Sequence, residues 1–177
     1  PLVLPPVVTG LLLLLAFGAQ GPVGAWMRET FGVTLAFSWL GAALAAAVMA
    51  IPLVVRPIRL SFEAVDRGLE QAAATLGAPP WRVFAHITLP LAAPGIVAGA
   101  FLGFARAFGE FGATVTFAGS IPGETQTLPV AIYASLQRAE GETSAVRLAV
   151  ISVAVAVGAI LAAEACNRRL HKARQTS

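Results

Sequence analysis

The chain has 177 residues, 57% of them hydrophobic and only 12% charged, with a formal net charge of +3. Soluble domains carry about 25% charged residues, so half that value excludes an ordinary water-soluble domain and points to membrane. The single cysteine, Cys166, excludes an intrachain disulfide and a cysteine-rich metal site. No Lys/Arg-rich stretch is interleaved with aromatics, so a nucleic-acid partner is not expected.

In chain order, no residue is charged from Pro1 to Met27 or from Phe31 to Val55, nor, with His86 neutral, from Val83 to Ala105. A helix crossing a bilayer needs roughly 20 apolar residues, and each window supplies them. A fourth run, Leu148 to Ala163, is shorter, but Arg147 and Glu164 can snorkel from its ends. The expectation is an all-α, polytopic membrane helical bundle with about four transmembrane helices. No basic n-region or small-residue cleavage site precedes the first window, so it does not read as a signal peptide. The chain opens at Pro1 already within apolar sequence, and an N-terminal part is expected to precede it. Pro1, Pro5 and Pro6 are expected to break the first span near one end, and Pro52 and Pro57 to do so where the second leaves the membrane.

Lys and Arg set the orientation. Arg56, Arg59, Arg67 and Arg82 lie between the second and third windows, and Arg168, Arg169, Lys172 and Arg174 lie in the tail. The opposite loops hold Arg28, Arg138 and Arg147. This asymmetry predicts that the 59–91 loop and the C-terminus are cytoplasmic.

Within that loop, Phe62, Val65, Leu69, Ala72, Ala73 and Leu76 form the stripe of an amphipathic helix, with Glu63, Asp66, Arg67, Glu70 and Gln71 on the other face. Gly77 stands where a left-handed C-cap belongs, and Pro79-Pro80 prevent continuation. A second short helix is expected from Pro80, carrying Trp81, Phe84 and Ile87 on one side and ending at Leu89-Pro90. The third span then opens with Pro94 in its first turn. The pattern fits a helix pair lying on the membrane, with Trp81 and Arg82 as headgroup anchors, as well as a docking helix for a partner groove.

The spacing Ala72-Ala73, three residues, Gly77, nine residues, Ile87, one residue, Leu89-Pro90 resembles the EAA loop of ABC importer permeases. In that family the loop inserts a coupling helix into a cytoplasmic ATPase subunit, which assigns Glu70, Gln71, Ala72, Ala73, Gly77, Trp81 and Arg82 to coupling. Gln71 stands where the family pattern has Glu, with Glu70 one place earlier. Downstream, the stretches Phe104 to Thr114 and Ile121 to Pro129 resemble the molybdate branch of type I permeases, with the sulfate and thiosulfate branch as nearest competitor. The resemblance covers nearly the whole chain. It implies one type I permease domain over 1–177 that lacks its first span, acting by alternating access in the bacterial inner membrane. It also implies a second permease copy, cytoplasmic ABC ATPase subunits that hold ATP and Mg, and an extracytoplasmic molybdate-binding protein. No cofactor or metal is expected on this chain itself. Tungstate or sulfate is the alternative substrate.

Arg106 and Glu110, at i and i+4, share a helix face at membrane depth. One reading makes the pair a structural fixture and the other places it on an anion path. A carboxylate repels a divalent oxyanion, which favours structure. Gly99 and Gly103 form a small-xxx-small pair suited to close helix contact. Thr114 to Pro129 reads as too polar and broken for a lipid-facing helix, and the hydroxyls of Thr114, Thr116 and Ser120 are candidates for weak contact with a passing oxyanion.

No catalytic residues are assigned. The histidines, His86 and His171, are not spaced to serve a membrane serine such as Ser38 or Ser152, and no phosphate-binding loop is present. A homo-oligomeric anion channel is the reading from another class, and it leaves the EAA-type spacing unexplained.

Overall fold

Proline and serine fix where the first three helices of this chain begin. The computed structural model describes residues 3–175, leaving aside the side chains of residue 167 and residues 169–175. Pro1 and the tail charges Arg169, Lys172 and Arg174 therefore lie outside the described residues and side chains. Among the described residues every regular element is helical: α1 (Pro6–Phe17), α2 (Pro22–Phe31), α3 (Trp39–Glu63), α4 (Arg67–Thr75), α5 (Pro80–Val83), a π-turn (Phe84–Thr88), α6 (Leu89–Phe108), α7 (Gly112–Phe117), α8 (Leu128–Leu136) and α9 (Glu142–Gln175). Pro6, Pro22 and Pro80 occupy first positions, where the missing N–H costs nothing.

Among the described residues, three helical stretches are long and apolar enough to cross a membrane: Trp39–Glu63, Pro80–Phe108 and Glu142–Cys166. The first apolar window is not one straight helix. It is the pair α1 and α2, bent by 49°, which passes the same test only when taken together. Gly18 and Gly21 both adopt extended backbone at the break, and Pro22 restarts the helix. The second span begins later than the uncharged window, at Trp39, because Ser38 caps it: its Oγ accepts the Gly41 N–H at 3.1 Å and donates to the Leu35 carbonyl at 2.7 Å. Nor is it broken at Pro52 and Pro57. α3 runs through both to Glu63, as membrane helices can where neighbours re-satisfy the freed carbonyls.

The chain divides into two compact units: Pro1–Pro52 with Phe104–Val157, and Leu53–Gly103 with Gly158–Ser177. In the first, Leu13, Ala45, Met49, Ala113 and Phe117 form the buried cluster. The polar-looking stretch after Gly112 is thus partly helical and deeply packed, α7 lying against α1. In the second, Gly99 and Gly103 of α6 lie against α3: a Cβ on Gly99 would stand 2.8 Å from the Val54 carbonyl, and one on Gly103 2.4 Å from Val54 Cγ2. The small-xxx-small pair therefore serves packing. α9 leaves Val150, Ile151, Val153, Ile160 and Leu161 at least half exposed, the all-round apolar surface of a helix in lipid.

The α1–α7 contact is the tightest test of this packing. A Cβ on Gly10 would stand 2.8 Å from both the Ala113 carbonyl and Thr116 Cβ, whereas nothing lies within 4 Å of one on Gly158. Gly10→Ala is expected to lower thermal stability in detergent by about 1–3 kcal/mol, the usual cost of overpacking. Gly158→Ala should raise it by about 0.5–1 kcal/mol, since glycine weakens a helix interior. Thermal unfolding of the two variants checks both signs.

Candidate functional site

The loop between α3 and α6 carries the sequence-predicted docking residues. Its first helix starts at Arg67, five residues after the predicted start at Phe62. Phe62 belongs to α3 and Val65 to the turn that follows; the apolar stripe ran across that break because periodicity does not register caps. Asp66 is the N-cap, its Oδ1 accepting the Gly68 N–H at 2.8 Å. The end falls where the sequence placed it. Gly77 has φ +85°, its N–H bonds the Ala74 carbonyl at 3.0 Å, and the Ala78 N–H bonds that of Ala73 at 3.1 Å. This pair of bonds is the Schellman ending, and its left-handed residue favours glycine.

The second helix does not stop at Leu89-Pro90. α5 passes through the π-turn directly into α6, with the Leu89 N–H bonded to the Phe84 carbonyl five residues back, and Pro94 lies inside α6 rather than opening it. Proline lacks a donor and crowds the carbonyl four residues back. The hydrogen-bond frame widens by one residue just before Pro90, so the helix absorbs the proline where a break was expected.

The loop presents one set of residues and hides another. Gln71, Ala72, Leu76, Gly77, Trp81 and Arg82 are exposed, and Ala73 is half-buried. Leu76 is 88% exposed, a large apolar side chain projecting at the bend. The Arg82 guanidinium lies 5.4 Å from the Trp81 ring centroid. Glu70, expected on the presented face, turns inward instead: its Oε1 accepts the hydroxyl of Thr88, which is 9% exposed. Phe84 stacks on Phe62 at 6.2 Å, and Ser61 Oγ donates to the Ala92 carbonyl at 3.1 Å. Sequence reasoning missed Thr88 and the cap at Asp66. An Asp directly before a helix is a readable cap signal. Thr88, 18 positions from its partner, carries no local signal.

In the other unit, the predicted ion pair forms. Arg106 Nη1 lies 2.5 Å from Glu110 Oε2, and the carboxylate side chain is 1% exposed against 26% for Arg106. The other oxygen, Oε1, accepts the Ala113 N–H at 2.8 Å. Glu110 thus neutralises Arg106 in the last turn of α6 and satisfies an open donor at the start of α7. Thr114 Oγ1 donates to the Phe111 carbonyl at 2.9 Å and Thr116 Oγ1 to that of Gly112 at 2.8 Å. Their hydroxyl protons are spent within the chain, which removes them as free donors. Ser120 is exposed and accepts from Gln126 Nε2 at 3.1 Å.

Residues 1–172 match the family described as binding-protein-dependent transport system inner membrane component. The chain is 58% identical over 164 residues to the molybdenum transport system permease protein ModB of Escherichia coli (strain K12), covering 93% of this chain and 72% of that protein. It is 52% identical over 172 residues to the protein of the same name from Haemophilus influenzae, covering 97% of this chain and 75% of the relative. It is 41% identical over 160 residues to sulfate permease 2, chloroplastic, of Chlamydomonas reinhardtii, covering 90% of this chain and 43% of that one.

The geometry at Glu110 makes a structural prediction. Breaking a buried ion pair from one side costs about 3–5 kcal/mol. Glu110→Gln, which keeps an acceptor for Ala113 but strands Arg106, should lower thermal stability in detergent by that order. Arg106→Met combined with Glu110→Gln should recover part of the loss. Equal stability of Glu110→Gln and the unsubstituted protein would show that the pair does not hold the α6–α7 junction.

Proposed function

We propose that this chain, which belongs to the family of inner membrane components of binding-protein-dependent transport systems, is the permease subunit of an ATP-driven importer of molybdate. It is a multi-pass inner membrane protein and a transport subunit, not an enzyme. The observation that carries the reading is the exposed, rigidly capped helix–bend–helix loop with EAA-type spacing. Gln71, Ala72, Leu76, Trp81 and Arg82 are all exposed on it, as residues that enter a groove on a partner protein must be.

On this reading the loop and the C-terminus face the cytoplasm, as the positive-inside asymmetry supports. Separate ATPase subunits, holding ATP and Mg, dock on the two loops of a permease pair. A binding protein delivers the anion at the outer face, where Ser120 is the hydroxyl left for contact with it. ATP binding favours one global state of the ATPases, and a docked loop imposes that preference on the permease. Molybdate is chosen because the relatives sharing 58% and 52% of positions are named for molybdenum transport. The relative named for sulfate shares 41%.

Uptake of labelled molybdate by the full protein, reconstituted with its ATPase and binding protein, tests this. Competition by tungstate but not sulfate is the expected outcome. Competition by sulfate would reassign the substrate, and uptake without ATP would favour a channel. Gly77→Pro, which forbids the positive φ, and Ala73→Trp, which adds bulk on α4, should each cut uptake per ATP hydrolysed about tenfold or more while insertion persists. Full coupling in both variants would overturn the docking role of the loop.

A further inference from the structure

We infer that Glu70 and Thr88 form an internal strut that fixes the docking helix α4 to the membrane helix α6, making both positioning residues for coupling. The inference rests on the transport reading above for its consequence, though not for the contact itself.

Three observations converge on this contact. Glu70 lies in the first turn of α4, behind the Asp66 cap and well before the left-handed bend at Gly77. Its carboxylate faces a recess lined by Ala74, Ala78, Val83 and Phe84 instead of the presented surface, and there receives the Thr88 hydroxyl. Thr88 in turn is the last residue of the π-turn, which continues into α6 with no interruption. A charge-assisted hydrogen bond in a partly dry recess is among the stronger polar contacts. It therefore joins the first turn of the docking helix to the π-turn that leads into a spanning helix. α4 otherwise meets α5 and the π-turn through packing, which lets it slide, so without the bond a pull on the presented residues shifts α4 instead of moving α6. The π-turn contributes by registration: one extra residue in the turn rotates the downstream helix by about a quarter turn or more relative to an unbroken α-helix.

A competing assignment makes Glu70 a direct charged contact to the docked partner, and the two differ in what they require. A strut needs only an acceptor at position 70 and a donor at 88; a partner contact needs the charge and is indifferent to Thr88. The experiment measures molybdate transported per ATP hydrolysed in the reconstituted complex, with ATPase co-purification as the assembly control. Glu70→Ala and Thr88→Val should each lower that ratio about five- to tenfold with the ATPase still bound. Glu70→Gln and Thr88→Ser, which keep the bond, should stay within about twofold of the unsubstituted protein. The double Glu70→Ala/Thr88→Val variant should be no worse than the poorer single one, because both remove the same contact. Loss in Glu70→Gln with normal coupling in Thr88→Val would overturn the strut, as would additive losses in the double variant.

Amide hydrogen exchange in the permease alone provides a readout independent of transport. Exchange across residues 67–75 should rise at least fivefold in Glu70→Ala and Thr88→Val but not in Glu70→Gln. That result with no ATP-driven uptake in the unsubstituted complex would sink the transport reading and leave the strut standing. Unchanged exchange in both truncated variants would sink the strut whatever the protein transports.

Discussion

A helix that stops in or beside a membrane leaves backbone donors and acceptors that lipid cannot satisfy. The form of this chain depends on how each stop is answered. Ser38 supplies an acceptor at the start of α3 and Asp66 one at the start of α4. Gly77 closes α4 with two backbone bonds to earlier carbonyls. At the junction of α6 and α7 the acceptor is a buried carboxylate, Glu110, bonded to the Ala113 N–H. Where no such answer was needed, the helix did not stop: α5, the π-turn and α6 pass through Pro90 and Pro94 as one run.

Two carboxylates that the sequence singles out, Glu70 as a docking residue and Glu110 as half of a structural ion pair, both face inward. Each engages a neighbour in its own unit, Thr88 for one and Arg106 with the Ala113 N–H for the other. The presented face of the loop is correspondingly short of negative charge, being made of Gln71, Ala72, Leu76, Trp81 and the cationic Arg82. On the proposed function, a surface of this kind selects its partner by shape and apolar contact, with the arginine as its charged element. Gln71 at the family's glutamate position fits that character, since an amide can bond a partner without the cost of desolvating a charge.

What was legible in the sequence is what depends on near neighbours. The apolar windows, the Arg106–Glu110 pair at one helical turn and the left-handed ending at Gly77 all rest on spacings of a few residues, and the structure has them. What was not legible depends on competition between signals or on distance along the chain. The stripe from Phe62 to Leu76 is continuous in period, yet Asp66 caps a new helix in the middle of it. Pro90 reads as a stop because that rule assumes an α-helical frame, which the π-turn changes. The 49° bend within the first window arises from two glycines and Pro22 that an apolar average does not weigh. Thr88 was invisible because its partner lies 18 residues earlier, on another element.

The same division separates the two halves of the transport reading. On the proposed function coupling is a rigid mechanical task, and the residues assigned to it leave marks in the fold: the Asp66 cap, the left-handed ending at Gly77 and the Glu70–Thr88 bond. Passing a tetrahedral oxyanion asks for the opposite, since a conducting path must release what it binds. In the first unit the two threonines placed by sequence on such a path give their protons to backbone carbonyls and hold α7 together. With Thr114 1% exposed and both hydroxyls satisfied internally, neither offers an anion a grip. On the proposed function, selection then falls to the protein that delivers the anion, and the permease can share 41% of its positions with a relative named for sulfate without reading the difference itself.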